Sequence, residues 1–509
     1  MNAPAVFTTE EIRVLEERGA KAIAGGATLM ERAGAATARA AVALAPDSGA
    51  PLLVVAGPGN NGGDAWVAAA RLRESFHRVV VHDAAGAAPR APEARAAVAR
   101  FLELGGRTVP EWPADLRPGL VIDGLFGIGL ARDVEGPHAA LVGRINACGA
   151  PVLSIDIPSG IASDTGRVRG VAVRATCTIT FIARKCGLYT ADALDHTGAI
   201  EVDELGLPPA FFEGARGTLL TPEAVRDWLA PRARHSHKGT YGTLAIVGGA
   251  RGMTGAALLA GRAASLCGAG KTFVHCLADD APAVDTGFPE LMLRPLEESP
   301  GADVWVAGPG AGFDAGKKSL SPFARKILPE LLARPGPLVL DADALNAIAA
   351  SAPLKQALAE SRPGTTVLTP HPAEAARLLG RSTQAVQDDR LAAARDLARW
   401  FRAEVVLKGA GSICASPDGT WSINTTGNPG LASGGTGDVL AGIVGALLAQ
   451  GLAPRAALRL GVCLHGAAAD SCVARGVGPI GLTASEVAWE ARAVLNRWVA
   501  TSAAGNRTR

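Results

Sequence analysis

The chain has 509 residues, 48% of them hydrophobic, with 50 Lys and Arg against 48 Asp and Glu and a formal net charge of +2. One core does not ordinarily organise so many residues, so two domains are expected, and the aliphatic, Gly-rich, aromatic-poor composition describes an α/β protein. A near-neutral balance without a Lys/Arg run excludes an electrostatic case for a nucleic-acid polyanion or an anionic membrane, leaving small molecules as the expected partners.

The start, MNAPAVFTTEEIRVLEE, has no basic stretch followed by an apolar core, and no later segment offers ~20 uninterrupted apolar residues, so a cytoplasmic protein is expected. From Pro51 to about Ile182, PLLVVA, AWVAAARLRE, VVVH, GLVIDGLFG, HAALVGRINAC and VLSIDIPSG alternate strand and helix patterns. That alternation predicts βαβ units in a parallel sheet covered on both faces, a Rossmann-like three-layer domain. Cysteines such as Cys148, Cys177 and Cys463 stand singly in apolar stretches without a CxxC pair, which predicts buried, reduced thiols.

Within this first domain, VVAGPGNNGGDAW turns from a strand through Gly57, Gly59, Gly62 and Gly63 into a helix, an arrangement that lets backbone amides hold phosphate. It is not a GxGxxG fingerprint; its distinguishing feature is the doubled Asn before Gly-Gly-Asp. Two further strand ends carry oxygen ligands, Asp123 in VIDGLFGIGLARD and Asp156 and Ser159 in LSIDIPSGIASDTG. Asn61, Asp123 and Ser159 could surround a hard cation with oxygen alone, although Ser159 also suits simple strand-end capping.

The pattern weakens between Leu205 and Arg234, where LGLPPAFFEGARG and APRARHSHKG are rich in Pro, Gly and basic residues. The expected organisation is a first domain over 1–214, a linker over 215–235, a second domain over 236–500 and a disordered tail over 501–509. His235 and His237 lack a second ligand pair nearby and read as part of the polar linker.

The second α/β series runs TLAIVGG, GAALLAGRAASL, TFVHC, VWVAGPG, PLVLDADAL, TVLTPH and EVVLKGAGS, then two long helical patterns. SLCGAGKT at 265–272 nearly spells a P-loop, but Ser265 replaces the first Gly and the helix pattern precedes the strand, so Lys271 is predicted to be a turn residue. LTPHPAEAARLLG places His371 at a strand's carboxyl end, where α/β sheets bind ligands, and predicts substrate contact. In EVVLKGAGS, Lys408 is suited to phosphate and residues 409–412 to wrapping a nucleotide, and CASPDGTWSIN reads as a hairpin. GNPGLASGGTGDVLAGIVGALL brings small residues straight into an apolar helix, an anion hole for phosphate. Asp438, in the first turn, suits helix capping. Beside a phosphate hole it also suits taking a proton from a hydroxyl that attacks a γ-phosphate.

HKGTYGTLAIVGGARGMTGAALLAGRAASLCGAG, GFPELM, AGPGAG, LVLDADALN, LTPHPAEAARLLG, VVLKGAGS and NTTGNPGLASGGTGDVLAGI, in that order, resemble the ADP-dependent NAD(P)H-hydrate dehydratases of the ribokinase-like superfamily. The resemblance implies a ribokinase-like α/β domain in which Lys408, Gly409, Ala410, Gly411, Ser412 and Gly437 hold ADP or ATP. It also implies that Ala256, Gly312, His371 and Asp438 contact the hydrated nicotinamide, with Mg²⁺ on the phosphates. Departures from the family pattern are mild: GPGAG at 308–312 lacks the common Leu at its fourth position, and Glu486 stands where Asp is frequent.

The NNGGD, VIDGLFGIGLARD and LSIDIPSG segments, with FIARKCGLYT, resemble the NAD(P)H-hydrate epimerases over most of residues 8–205. That resemblance implies K⁺ on Asn61, Asp123 and Ser159, and substrate against Asn60, Asn61, Gly62, Gly63 and Asp64. It further implies substrate contact with Gly127, Ile128, Gly129, Leu130, Ala131, Arg132, Asp133 and Asp156. Asp156 is the expected acid/base and Lys185 the second candidate, while Ala65-Trp66 replaces the Gly-aromatic pair common after NNGGD. Together the two halves imply a bifunctional cofactor-repair enzyme that works as a homo-oligomer, a tetramer or larger. The alternatives are a ribokinase-like small-molecule kinase, and a first domain that only binds.

Overall fold

The computed structural model describes residues 3–505 except 24, 46–48, 76, 87–90, 299–300, 314–320 and 361–363. The chain divides into two compact units, Ala5–Gly217 and Thr218–Arg509 with Met1–Pro4.

In the first unit the sheet order is Arg107–Val109, Val79–Asp83, Leu52–Ala56, Leu120–Gly124, Val152–Ile155, Cys177–Phe181 and Ala199–Asp203, each neighbouring pair parallel. Successive side chains of a strand point to opposite faces. Leu52, Val54, Leu120 and Ile122 accordingly pack with residues of the helices Leu29–Leu44, Asn60–Glu74 and Pro92–Glu103. Leu53, Val55 and Val121 pack in a separate core with Val142 and Ile145 of the helix Gly136–Ala147. This is the expected three-layer α/β arrangement. Strand order reverses between Leu52–Ala56 and Leu120–Gly124, which opens a crevice at their carboxyl ends. The turn there requires glycine: a Cβ on Gly57 would lie 1.8 Å from Leu125 O, and one on Gly62 would lie 1.9 Å from Gly57 O.

The second unit's sheet runs Met292–Leu293, Lys271–Cys276, Thr243–Gly248, Val304–Ala307, Leu338–Leu340, Thr366–Leu368 and Glu404–Leu407, all parallel. The expected hairpin follows as the antiparallel pair Ile413–Ala415 and Trp421–Asn424, with Gly217–Leu220 beyond it. At the centre of the main core is the helix Thr436–Ala449, buried from Val439 onward, sharing that core with Ile246, Val306 and Val339. Such burial on all sides demands close approach: a Cβ on Gly442 would sit 2.1 Å from Ala260 O, and one on Gly445 would sit 2.7 Å from Val306 Cγ2.

Three local expectations are corrected. Residues 215–235 are not simply a linker, since Gly217–Leu220 is a strand and Pro222–Val225 a short helix whose Val225 is fully buried. The Pro-rich composition that suggested a loop instead places Pro222 in a helix's first turn, where its missing N–H costs nothing. The final helix, Ala484–Gly505, includes residues 501–505 of the expected tail, because nothing in WVATSAA breaks a helix before Gly505; 506–509 lie outside the described residues. Lys271 is the first residue of a strand, not a turn residue, although the helix Thr254–Leu266 does precede it as the P-loop argument required. None of the eight cysteines forms a disulfide, and no helix among the described residues is long and apolar enough to cross a membrane.

Candidate active sites

In the first unit a cavity of about 790 Å³ lies where the chain leaves Leu52–Ala56, Leu120–Gly124, Val152–Ile155 and Cys177–Phe181. It brings together Asn60, Asn61, Asp64, residues 127–132, Asp156 and Lys185 from the sequence-based set. Gly62, Gly63 and Asp133 are not among the lining residues. The two glycines are buried in the helix Asn60–Glu74, where a Cβ on Gly63 would meet Met30 Cε at 2.5 Å, and Asp133 is exposed.

Asp156 has φ of 66°, in the left-handed region that non-glycine residues rarely adopt. Its Oδ1 accepts from Thr180 Oγ1 and from Phe181 N–H, each at 3.3 Å, and pairs with the Lys185 ammonium. Burial, then the charges of Asp156 and Glu16, push the Asp64 carboxyl well above its ordinary range. Glu16 is pushed up for related reasons, burial first and Asp156 next.

Beneath the cavity, Asp123 is fully buried. Its Oδ1 accepts from Ser159 Oγ at 2.6 Å, and its Oδ2 from Ser154 Oγ and Ser159 N–H, both at 2.9 Å. Burial still raises it despite these bonds, and no cationic side chain pairs with it among the described residues. The Phe126 carbonyl accepts from Asn61 Nδ2 at 3.0 Å and lies 3.2 Å from Ser159 Oγ, whose proton goes to Asp123, while Asn61 Oδ1 is buried with no partner among the described residues. An orphaned amide oxygen near an uncompensated buried carboxylate is a donor set that a hard cation fits.

In the second unit the ends of four adjacent parallel strands converge. Gly308 follows Val304–Ala307, Asp341 follows Leu338–Leu340, His371 comes shortly after Thr366–Leu368, and Lys408 follows Glu404–Leu407. Lys408 Nζ donates to Asp341 Oδ1 at 2.9 Å, and Thr369 Oγ1 donates to the same oxygen at 2.7 Å. Gly437 fits against this pair, since a Cβ there would lie 3.2 Å from Lys408 Nζ. The helix Thr436–Ala449 starts from Gly435 at φ 88°, carrying Asp438 into its first turn. No side chain caps this helix.

Asp438 is pushed up to about 7, by burial first, then by Asp341, with Asp343 and Glu374 adding and Lys408 opposing. Burial alone would lower Lys408, but Asp341, Glu374 and Asp438 outweigh it and hold the ammonium above its usual value. Gly312, at φ 82°, donates its N–H to Asp343 Oδ2 at 2.9 Å, and Ala256 lies against the same loop at Gly310. His371 caps the helix Pro372–Leu379: its Nδ1 accepts from Ala373 N–H at 3.1 Å, and its Nε2 lies 3.2 Å from Glu374 Oε1. Its side chain nevertheless stays 47% exposed. Gly409 and Gly411 have φ of 138° and 60°, and Ser412 Oγ closes their turn onto Gly409 N–H and its carbonyl at 3.2 and 3.0 Å.

A family model described as NAD(P)H-hydrate dehydratase matches residues 244–488, and one described as YjeF-related protein N-terminus matches residues 26–187. The bifunctional NAD(P)H-hydrate repair enzymes of Coxiella burnetii and Escherichia coli are 38% and 37% identical to this chain. Those matches cover 96% and 95% of it and 99% and 92% of the relatives' lengths. The chain belongs to the bifunctional NAD(P)H-hydrate repair enzyme family. Among solved structures it is similar to the ADP/ATP-dependent NAD(P)H-hydrate dehydratase of Bacillus subtilis co-crystallised with ATP/Mg²⁺. That match is 31% identical over 55% of this chain and 98% of that one, with a TM-score of 0.47.

Several residues of these two candidate sites were not singled out from sequence. Asp341 ends the apolar run PLVL, so the rule that ligands meet strand carboxyl ends could have found it. Asp343 lies in PLVLDADAL, where no residue was singled out, and Glu374 in LTPHPAEAARLLG, where only His371 was. His465, on the helix Pro454–Ala474, is pushed down to about 4 by burial and by Lys408, so it is neutral at physiological pH, with no partner for Nε2 among the described residues. Glu16 and Arg13 reach the first cavity from the helix Thr9–Ala22. No motif marks any of these three.

Proposed function

We propose that the first unit's cavity is the epimerisation site and the crevice around Asp438 the dehydration site of this enzyme. The chain epimerises (R)- and (S)-NAD(P)H-hydrate and dehydrates the (S)-form to NAD(P)H at the expense of ADP or ATP. The observation that carries the dehydration site is Asp438 in the first turn of a glycine-opened helix, beside Lys408 and Asp341 at converging strand ends.

In the second unit Lys408, residues 409–412 and Gly437 hold the nucleotide, while Ala256, Gly312, His371 and Asp438 contact the hydrated nicotinamide. Asp438 takes the proton of the C6 hydroxyl as its oxygen attacks the terminal phosphate, whose bond to the bridging oxygen breaks so that AMP leaves from ADP, or ADP from ATP. The C6–O bond then breaks with phosphate as the leaving group, the ring nitrogen's lone pair assists, and loss of a C5 proton restores the double bond. Asp438, Asp341, Asp343 and Glu374 outnumber the Lys408 ammonium, and Mg²⁺ is ordinarily bound by one or two carboxylates together with phosphates. Bound there, it would neutralise phosphate charge. Lys408→Ala is expected to weaken ADP binding about 10- to 100-fold, the loss of one charge-assisted hydrogen bond. Calorimetric titration of the full chain with ADP and Mg²⁺ checks this; unchanged affinity would remove Lys408 from the nucleotide site.

In the first unit Asp156 exchanges a proton with the C6 hydroxyl, which leaves with help from the ring nitrogen and is replaced by water from either face. Asn61, Asp123 and Ser159 would hold K⁺, which would supply charge compensation for the buried Asp123 carboxyl. Replacing K⁺ by a bulky organic cation is expected to lower the epimerisation rate and the thermal midpoint of the first unit, and Asp123→Asn is expected to erase both dependences. A rate and a midpoint indifferent to K⁺ in the unsubstituted enzyme would sink the potassium site. Assembly as a tetramer or larger, and a cytoplasmic location, complete the proposal on family resemblance; light scattering of the full chain tests the first.

A further inference from the structure

Lys185 is the most deeply buried charged group of the epimerisation cavity, 1% exposed, on the two-residue strand Arg184–Lys185. An ammonium has three N–H donors. Here one goes to Asp156 Oδ1, one to Thr180 Oγ1 at 2.8 Å and one to the Phe181 carbonyl at 2.7 Å. None is left for a substrate.

Asp156 shows the complementary pattern. Its Oδ1 accepts from Lys185, Thr180 Oγ1 and Phe181 N–H, whereas no hydrogen bond reaches Oδ2 among the described residues. The left-handed backbone at Asp156 is met by a separate bond, its N–H donating to the Ile179 carbonyl at 2.7 Å. Around this pair the other charged lining residues are Arg13, Glu16 and Glu17 from the helix Thr9–Ala22, Asp64 from the helix Asn60–Glu74, and Arg132, with Arg13 acting on Glu16.

We propose that Lys185 is a positioning residue for epimerisation: it fixes Asp156 Oδ1 so that Oδ2 alone exchanges the proton, and offsets the charges of Glu16 and Asp64. The proposal rests on Asp156 being the acid/base. In the step, Oδ2–H gives its proton to the C6 hydroxyl oxygen as the C6–O bond breaks and the N1 lone pair forms the C=N bond. The water that adds back to C6 returns a proton to Oδ2, so no proton is gained or lost. Lys185 keeps its own three protons throughout.

The test is the pH profile of (R)-hydrate epimerisation by the full chain, for the unsubstituted enzyme, Lys185→Met, Lys185→Arg and Thr180→Val, with folding checked by circular dichroism. Lys185→Met is expected to lower kcat about 100-fold or more with KM changed far less. It is also expected to move a limb of the profile upward, because the cation beside the acid/base is gone. Lys185→Arg keeps the charge, so its limb stays near the original position while the rate falls. A Lys185→Met limb at the unsubstituted position would overturn the proposal, as would disappearance of a limb, which would make Lys185 the proton-transfer group itself. If Lys185→Met does not fold, Thr180→Val decides: a smaller upward move supports the proposal, and an unmoved limb overturns it. Full epimerisation by Asp156→Asn would instead strike the acid/base reading, and the proposal with it.

Discussion

Asp438→Asn is expected to abolish dehydration of the (S)-hydrate, by about 10²- to 10⁴-fold as for loss of a positioned general base, and to leave epimerisation at its original rate. The substitution keeps the shape of the side chain at the head of the helix Thr436–Ala449 and removes only its capacity to take a proton. With Asp438 pushed up to about 7, the dehydration rate of the unsubstituted enzyme should rise with pH through neutrality, as the base form accumulates.

The same shift predicts an effect on stability of opposite sign. A carboxyl whose folded-state value lies above its unfolded value of 3.8 costs stability as pH rises between the two, and the full cost is present above about 7. Asp438→Asn should therefore raise the thermal midpoint at pH 8, with the gain shrinking as pH falls toward 4. At about 1.4 kcal/mol per pKa unit the gain is on the order of a few kcal/mol, or several degrees in a domain of this size. Equal loss of both activities, or a midpoint lowered at pH 8, would refute this account of Asp438.

Asp156→Asn is expected to do the reverse: epimerisation falls about 10²-fold or more while dehydration of purified (S)-hydrate continues. Lys185 would then face a neutral amide, with its bonds to Thr180 Oγ1 and the Phe181 carbonyl still available. Chiral analysis of (R)-hydrate incubated without nucleotide measures the loss directly. Persistence of interconversion would move the proton-transfer role to another cavity carboxylate, Asp64 or Glu16.

What the sequence disclosed and what it withheld divide along a physical line. Strand-to-helix turns built on glycine are local, so NNGGD and GGTGD could be read directly, and each does open a helix in the structure. Apolar runs ending in a polar residue are local too, which is why Asp123, Asp156, His371 and Lys408 stood out. The charge around Asp438 is not local: Asp341, Asp343 and Glu374 act on it only because parallel pairing aligns strand ends far apart in the chain. Glu16 reaches its cavity through the packing of an N-terminal helix that carries no motif. The supposed linker failed for the same reason, since Thr218 Oγ1 donates to the Trp421 carbonyl at 3.5 Å, across 203 positions.

The central claim is that one chain converts both hydrates to NAD(P)H, by epimerisation at one site and nucleotide-dependent dehydration at another. Its most direct test is recovery of reduced-nicotinamide absorbance from a mixture of (R)- and (S)-hydrates incubated with the full chain and ADP, ATP or neither. Recovery should run to completion with a nucleotide and be absent without one. A plateau at the (S)-share of the mixture would contradict the epimerisation half, and no recovery with either nucleotide would contradict the dehydration half.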